Sequence, residues 1–91
     1  MTSTPHSITM YAIESGEPES VAEFRWSPTA GVTLTVVSSS EWGRLARIYY
    51  EDGIPNRKEM NVIPRTNGEE FMRALADLNM GSYCYLVVDS R

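Results

Sequence analysis

The sequence predicts an α+β fold. The expected form is a two-layer sandwich with a mixed five-stranded sheet, elements in the order β-β-β-α-β-α-β, and both helices on one face. Three observations lead there. The first third of the chain alternates apolar and polar residues with period two, as strands with one buried face do. Two later stretches repeat apolar residues at three- and four-residue spacing behind a serine or a threonine, as amphipathic helices do. The first three strands are joined by short links, which favours an antiparallel meander. The later strands are separated by helices, which favours parallel pairing.

Met1 to His6 is small and polar around Pro5 and reads as a flexible arm over 1–6, with 7–91 a single globular domain. Ile8 to Ile13 is the first strand, with Ile8, Met10 and Ala12 on one side. Glu14 to Ser20 carries Gly16 and Pro18 among glutamates and reads as a solvated turn. Val21 to Ser27 puts Ala22, Phe24 and Trp26 on one face and Glu23 and Arg25 on the other. Val32, Leu34 and Val36 form the buried row of the third strand. For Phe24 and Trp26 to share that row, opposed residue numbers must have an even sum. A three-residue loop from Thr29 to Gly31, with Gly31 left-handed, meets this condition.

Ser38 and Glu41 have capping-box spacing, and Trp42, Leu45, Ala46 and Tyr49 follow at helical spacing. Gly53 and Pro55 end that helix. Arg57 to Ile63 reads as a charged edge strand with Met60 and Val62 inward, closed by Pro64. Thr66 and Glu69 repeat the capping-box spacing before a helix carrying Phe71, Met72, Leu75 and Leu78, with Arg73 four residues from Glu69 and from Asp77. Tyr83 to Asp89 is apolar on both faces, so it belongs inside a sheet or has a second face that meets a partner. The expected core is Trp26, Trp42, Phe24, Leu34, Leu45, Phe71, Leu75 and Leu86, with Trp42 its largest anchor.

Composition narrows the function classes. Ninety-one residues make one domain, and 42 % hydrophobic content supports one core without metal or disulfide. A net charge of −4 lacks the basic footprint of general nucleic-acid binding and suits a soluble cytoplasmic protein, or one that meets a basic partner. No apolar run has the length of a membrane span, and Met1 to Ser7 lacks the charged start and apolar core of a secretory signal.

Chemistry-bearing patterns are scarce. His6 is the single histidine and lies in the arm, and Cys84 is the single cysteine and lies in an apolar strand. Glu14, Glu17 and Glu19 lack the interleaved Asp/Asn and Gly of a calcium loop. Glu69 and Glu70 would repel an anion at the helix start beside Gly68. The expectation is therefore no enzyme, no cofactor and no metal.

Two surfaces stand out instead. Glu51 and Asp52 oppose the dipole at the end of the first helix, and Tyr50 falls off the apolar stripe, so a solvent-facing ring beside two carboxylates is expected there. Tyr83 and Tyr85, with Tyr11, would form an aromatic patch on the outer sheet face, unless the N-terminal arm covers it. These residues suit an adaptor, an inhibitor or an antitoxin-like neutraliser of a basic protein, and a homodimer through the open sheet face fits as well. The alternatives are a ligand-binding protein or enzyme with a pocket near Trp42 and Arg44, and a nucleic-acid regulator that gathers Arg25, Arg57, Lys58 and Arg65 on one face.

Overall fold

The computed structural model describes residues 4–13 and 16–89. Strands β1 (Ser7–Ile13), β2 (Pro18–Ser27) and β3 (Gly31–Val36) form the expected antiparallel meander. Helix α1 (Glu41–Asp52) follows, then a hairpin of β4 (Ile54–Asn56) and β5 (Asn61–Ile63), helix α2 (Gly68–Ala76), and strand β6 (Cys84–Asp89). The fold is α+β, with a four-stranded sheet in the order β3-β2-β1-β6 and a separate two-stranded one.

Register keeps the expected parity but not the expected loop. Ser27 opposes Gly31 and Phe24 opposes Leu34, so the sum is even and Phe24 shares the row of Val32 and Leu34. The loop is Pro28 to Ala30, one residue earlier than Thr29 to Gly31. The Ser27 hydroxyl accepts the Ala30 N–H at 3.0 Å and closes the turn early. Gly31 does take a positive φ, at +73°.

A bulge sits where Met10 opposes Ala22 but Tyr11 opposes Ser20, leaving Val21 as the extra residue. Val21 is thereby turned inward and buried. Its carbonyl accepts the N–H groups of Val37 (2.9 Å) and Ser38 (3.3 Å), which steers the chain from β3 into α1.

The mixed five-stranded sheet is not what forms, for two local reasons. First, Arg57 to Ile63 is not one strand. The Asn56 side-chain oxygen accepts the N–H of Lys58 (3.1 Å) and of Glu59 (3.4 Å), an Asx turn that folds the segment into the β4–β5 hairpin. Met60 at its tip has φ +56° and is 89 % exposed, and Val62 is exposed too, whereas both were expected inward. Ile54 and Ile63 enter the core in their place. Second, β6 pairs with β1, antiparallel, so every pairing in the sheet is antiparallel. It is a terminal strand rather than an interior one.

Both helices lie on one face. The rings of Phe24 and Phe71 are 6.0 Å apart, which puts α2 over the row of Ile8, Met10, Ala22 and Phe24. Val36, opposite Ala22 in the same row, meets α1 at Gly43. A side chain at Gly43 would run into the Ser38 carbonyl, so the first turn of α1 sits directly on the chain that enters it. The fully buried anchors are Phe24, Phe71, Ile8, Met10, Ile54, Met72, Leu75 and Val21. Trp26, Leu34, Trp42 and Leu86 flank this core half-buried, so Trp42 is not its main anchor.

Neither capping box closes. The Ser38 hydroxyl donates to the Ser40 hydroxyl (2.8 Å) and accepts the Ser40 N–H (3.1 Å), and Ser40 becomes the N-cap of α1. Asn67 rather than Thr66 precedes α2, because its N–H is held by the Pro64 carbonyl at 3.0 Å. At the other end of α1, Gly53 adopts φ +99° and donates its N–H to the Tyr49 carbonyl, as expected of a helix stop. Arg73 pairs with Glu69 at 3.5 Å along the exposed side of α2.

Candidate interaction surface

The end of α1 is built differently from its sequence reading. Tyr50 does not stand in solvent. It is half-buried, and its hydroxyl donates to the Val32 carbonyl on β3 at 3.4 Å. The Arg65 guanidinium lies 4.2 Å from the ring centroid and donates to the Tyr50 carbonyl at 2.8 Å. Arg65 comes from the loop before α2, yet it supplies the positive charge that the last turn of α1 lacks. That cation offsets what Glu51 and Asp52 cost the helix dipole. Those two side chains remain exposed, and Arg47 forms no ion pair with Glu51. The corner thus keeps its two acids and loses its aromatic anchor to the fold.

The aromatic patch on the sheet does form. Tyr11 and Tyr85 oppose each other in register, with rings stacked at 5.3 Å and 15°. Cys84 faces the core, so Tyr83, Tyr85 and Val87 alternate onto the outer face, at 68 %, 38 % and 48 % exposure. Tyr83 is held beside β1 by the Ile13 N–H, which donates to its carbonyl at 2.8 Å. Of the expected arm, Met1 to Ser3 lie outside the described residues. Thr4 to His6 do not lie over the tyrosines. Thr4 accepts a hydrogen bond from Arg73 at 3.1 Å, and His6 bonds to Asp89 and Trp26 through its backbone. They sit at the opposite end of β1 from Ile13 and Tyr83.

The core side of β6 is covered at its Cys84 end. Burial pushes the Cys84 thiol above its ordinary range. Burial, and then the proximity of Cys84, does the same to the Tyr49 hydroxyl. A thiol held protonated is a poor nucleophile. Among the described residues, no three of His, Cys, Asp or Glu gather to hold a metal ion. No helix among them is long and apolar enough to cross a membrane.

The other expected arrangements fare as follows. The surface clefts at the β2–β3 turn and beside the β4–β5 hairpin are lined by residues other than Trp42 and Arg44. One of about 360 Å³ includes His6, Arg25, Trp26 and Asp89. Within it, Arg25 pairs with Glu23 at 3.5 Å, and the His6 ring lies edge-on to Trp26 at 5.9 Å. The basic residues do not converge. Arg25 is on the outer sheet face, Arg65 is under α1 on the opposite side, and Arg57 and Lys58 are at the hairpin turn.

No protein-family model, curated protein or solved structure matches the chain. Its function therefore rests on the chemistry of its own surfaces. Two large apolar residues that pattern reading turned inward are exposed: Val88, on the core-facing row of β6 yet 42 % exposed, and Met60 at the hairpin tip. The first had a signal, an uncharged run from Tyr83 to Val88, but nothing in that run says it lies at an edge.

Proposed function

We propose that this chain is a small, acidic, non-catalytic protein-binding module of the adaptor, inhibitor or antitoxin-like kind. It presents Tyr83 and Tyr85, backed by Tyr11, to a partner protein, and it acts in the cytoplasm. One observation carries the reading: Tyr83 and Tyr85 stand exposed, with half-buried Tyr11 stacked on Tyr85, on the outer face of a sheet whose neighbouring positions are Glu23, Arg25, Thr33 and Thr35. Tyrosine buries much area at small entropic cost, which suits it to anchor an interface. The net charge of −4, with Glu51 and Asp52 exposed and in no ion pair among the described residues, favours a partner of basic character.

The test is the double substitution Tyr83→Ser and Tyr85→Ser. A partner retained by the wild-type chain from its native host is purified and titrated against both forms by calorimetry. The double variant is expected to bind at least about tenfold more weakly, since truncating interface anchors costs roughly 1 kcal/mol or more each. Its melting temperature should stay near that of the wild type, because both rings are exposed. Equal affinities at equal melting temperatures would remove the tyrosine face from the site.

A further inference from the structure

We propose that the open edge of β6 is completed by β6 of a second copy of this chain. The two strands pair antiparallel about a twofold axis at Leu86 and join two four-stranded sheets into one of eight.

The direction of the backbone groups comes first. The Ile13 N–H donates to the Tyr83 carbonyl, and the register runs through Ala12 with Cys84, Met10 with Leu86 and Ile8 with Val88. Bonded and non-bonded pairs alternate along an antiparallel ladder. The backbone groups of Tyr85 and Val87 therefore turn to β1, and those of Cys84, Leu86 and Val88 turn to the open edge. Such an edge is a template for another strand, and proteins usually blunt it with charge, proline or a covering segment. From Cys84 to Val88 there is neither charge nor proline.

The outward groups are symmetric about Leu86, so a second copy can pair with this edge in register, and the exposure of the side chains along β6 points to it. With Leu86 on the axis, Cys84 of each chain opposes Val88 of the other, and every outward N–H meets an outward C=O. The side chains match as well. On the core side, Cys84 is 3 % exposed while Val88 is 42 % exposed. The strand is covered at one end and open at the other, and the twofold axis sets each open end beside a covered one. On the outer face it sets Tyr85 beside the second copy's Val87, both partly exposed. A single strand edge buries less than the roughly 800 Å² per partner of a standard interface, so the dimer is in the micromolar range or weaker. The inference concerns the edge, not the tyrosine face. A monomer would overturn it and leave the binding reading standing; a dimer that captures no partner would do the reverse.

Two variants test it. Val88→Pro removes an outward N–H and blocks the edge without touching the ladder to β1. Leu86→Cys in a Cys84→Ala background places one cysteine on the axis, where bonded antiparallel pairs stand about 5.5 Å apart, within disulfide range. Sedimentation from about 1 to 500 µM should show the wild type moving from monomer to dimer. Val88→Pro should stay monomeric, or dimerise at least about tenfold more weakly, at a melting temperature near that of the wild type. Mild oxidation should link Leu86→Cys into a covalent dimer. A wild type monomeric across the range, a Val88→Pro variant that dimerises as well as wild type or fails to fold, or a Leu86→Cys variant that does not cross-link would each overturn the proposal.

Discussion

The two ends of the sheet are finished in opposite ways. At the β3 end, alternation of the ladder turns the backbone groups of Val32, Leu34 and Val36 outward, as it does those of Cys84, Leu86 and Val88 at the β6 end. At the β3 end the chain itself takes up one of these groups: the Tyr50 hydroxyl donates to the Val32 carbonyl. Gly43 seats α1 against Val36 on the core side, and the Val21 carbonyl carries the β2–β3 pairing on to Val37 and Ser38. Among the described residues, no side chain bonds the outward groups at the β6 end. One edge thus has a helix-borne hydroxyl bonded to an outward carbonyl, and the other has none among the described residues.

The largest effect should come from breaking the closed end. Gly43→Ala forces a methyl group against the Ser38 carbonyl, a backbone atom that cannot step aside alone. The expected cost is about 3 kcal/mol, or a fall in melting temperature of roughly 12–24 °C by calorimetry. A variant within about 0.5 kcal/mol of wild type would mean that α1 is not clamped there.

Next in size is a pair of prolines on β6. Val87→Pro deletes an N–H used in the ladder to β1 and should cost about 2–3 kcal/mol. Val88→Pro deletes one that points outward and should cost under about 1 kcal/mol. Equal costs in chemical denaturation would erase the distinction between the two edges.

How much of this contrast was legible in sequence depends on range. The meander, both helices and the Gly53 stop were readable because period-two and period-3.6 patterns are local. So was the outward set Tyr83, Tyr85 and Tyr11, since alternation alone sorts a strand's faces. Strand order was not. Whether the run from Tyr83 to Val88 lies inside a sheet or at its edge is decided by where α2 delivers it, and both placements suit the same residues. The separation of Arg57 to Ile63 into a hairpin turned on one Asn56 side chain, which outweighed the inward reading of Met60 and Val62. Tyr50 was misread for a related reason. It falls off the stripe of α1, and the groups that hold it, Arg65 and Val32, are 15 and 18 residues away in sequence.

That misreading has its own test on the closed end. Arg65→Ala removes a charge-assisted hydrogen bond to the Tyr50 carbonyl, the cation over the ring, and a positive group at the end of α1, whose last turn carries no basic residue. A loss of about 1–2 kcal/mol is expected, partly screened by salt because Arg65 is half-exposed. With the cation gone, Glu51→Lys should recover about 0.3–1 kcal/mol by restoring charge complementarity to the dipole. In the wild-type background the same Glu51→Lys should gain less. Identical gains would show that Arg65 and Glu51 act independently.

The smallest effect is nil at neutral pH and separates the edge of β6 from its face. The edge is open, yet Cys84 on the same strand is buried and its thiol is raised above an ordinary value of 9.0. Tyr49 is likewise raised above 10.0, by burial first and then by Cys84. The sign follows from which state keeps its proton. Below about pH 9 both folded and unfolded chains hold these protons, and stability does not change. As pH rises past 9.0, the unfolded thiol ionises while the folded one does not, so unfolding gains ground, and Tyr49 adds to this above 10.0. Stability should therefore fall on the alkaline side, up to the folded-state values. Cys84→Ala removes the first contribution, so its advantage or deficit relative to wild type should drift in the variant's favour between pH 8.5 and 10, as read by urea denaturation at fixed ionic strength. A constant difference across that window would mean that Cys84 ionises freely in the folded chain. The core side of β6 would then be as open to water as its edge.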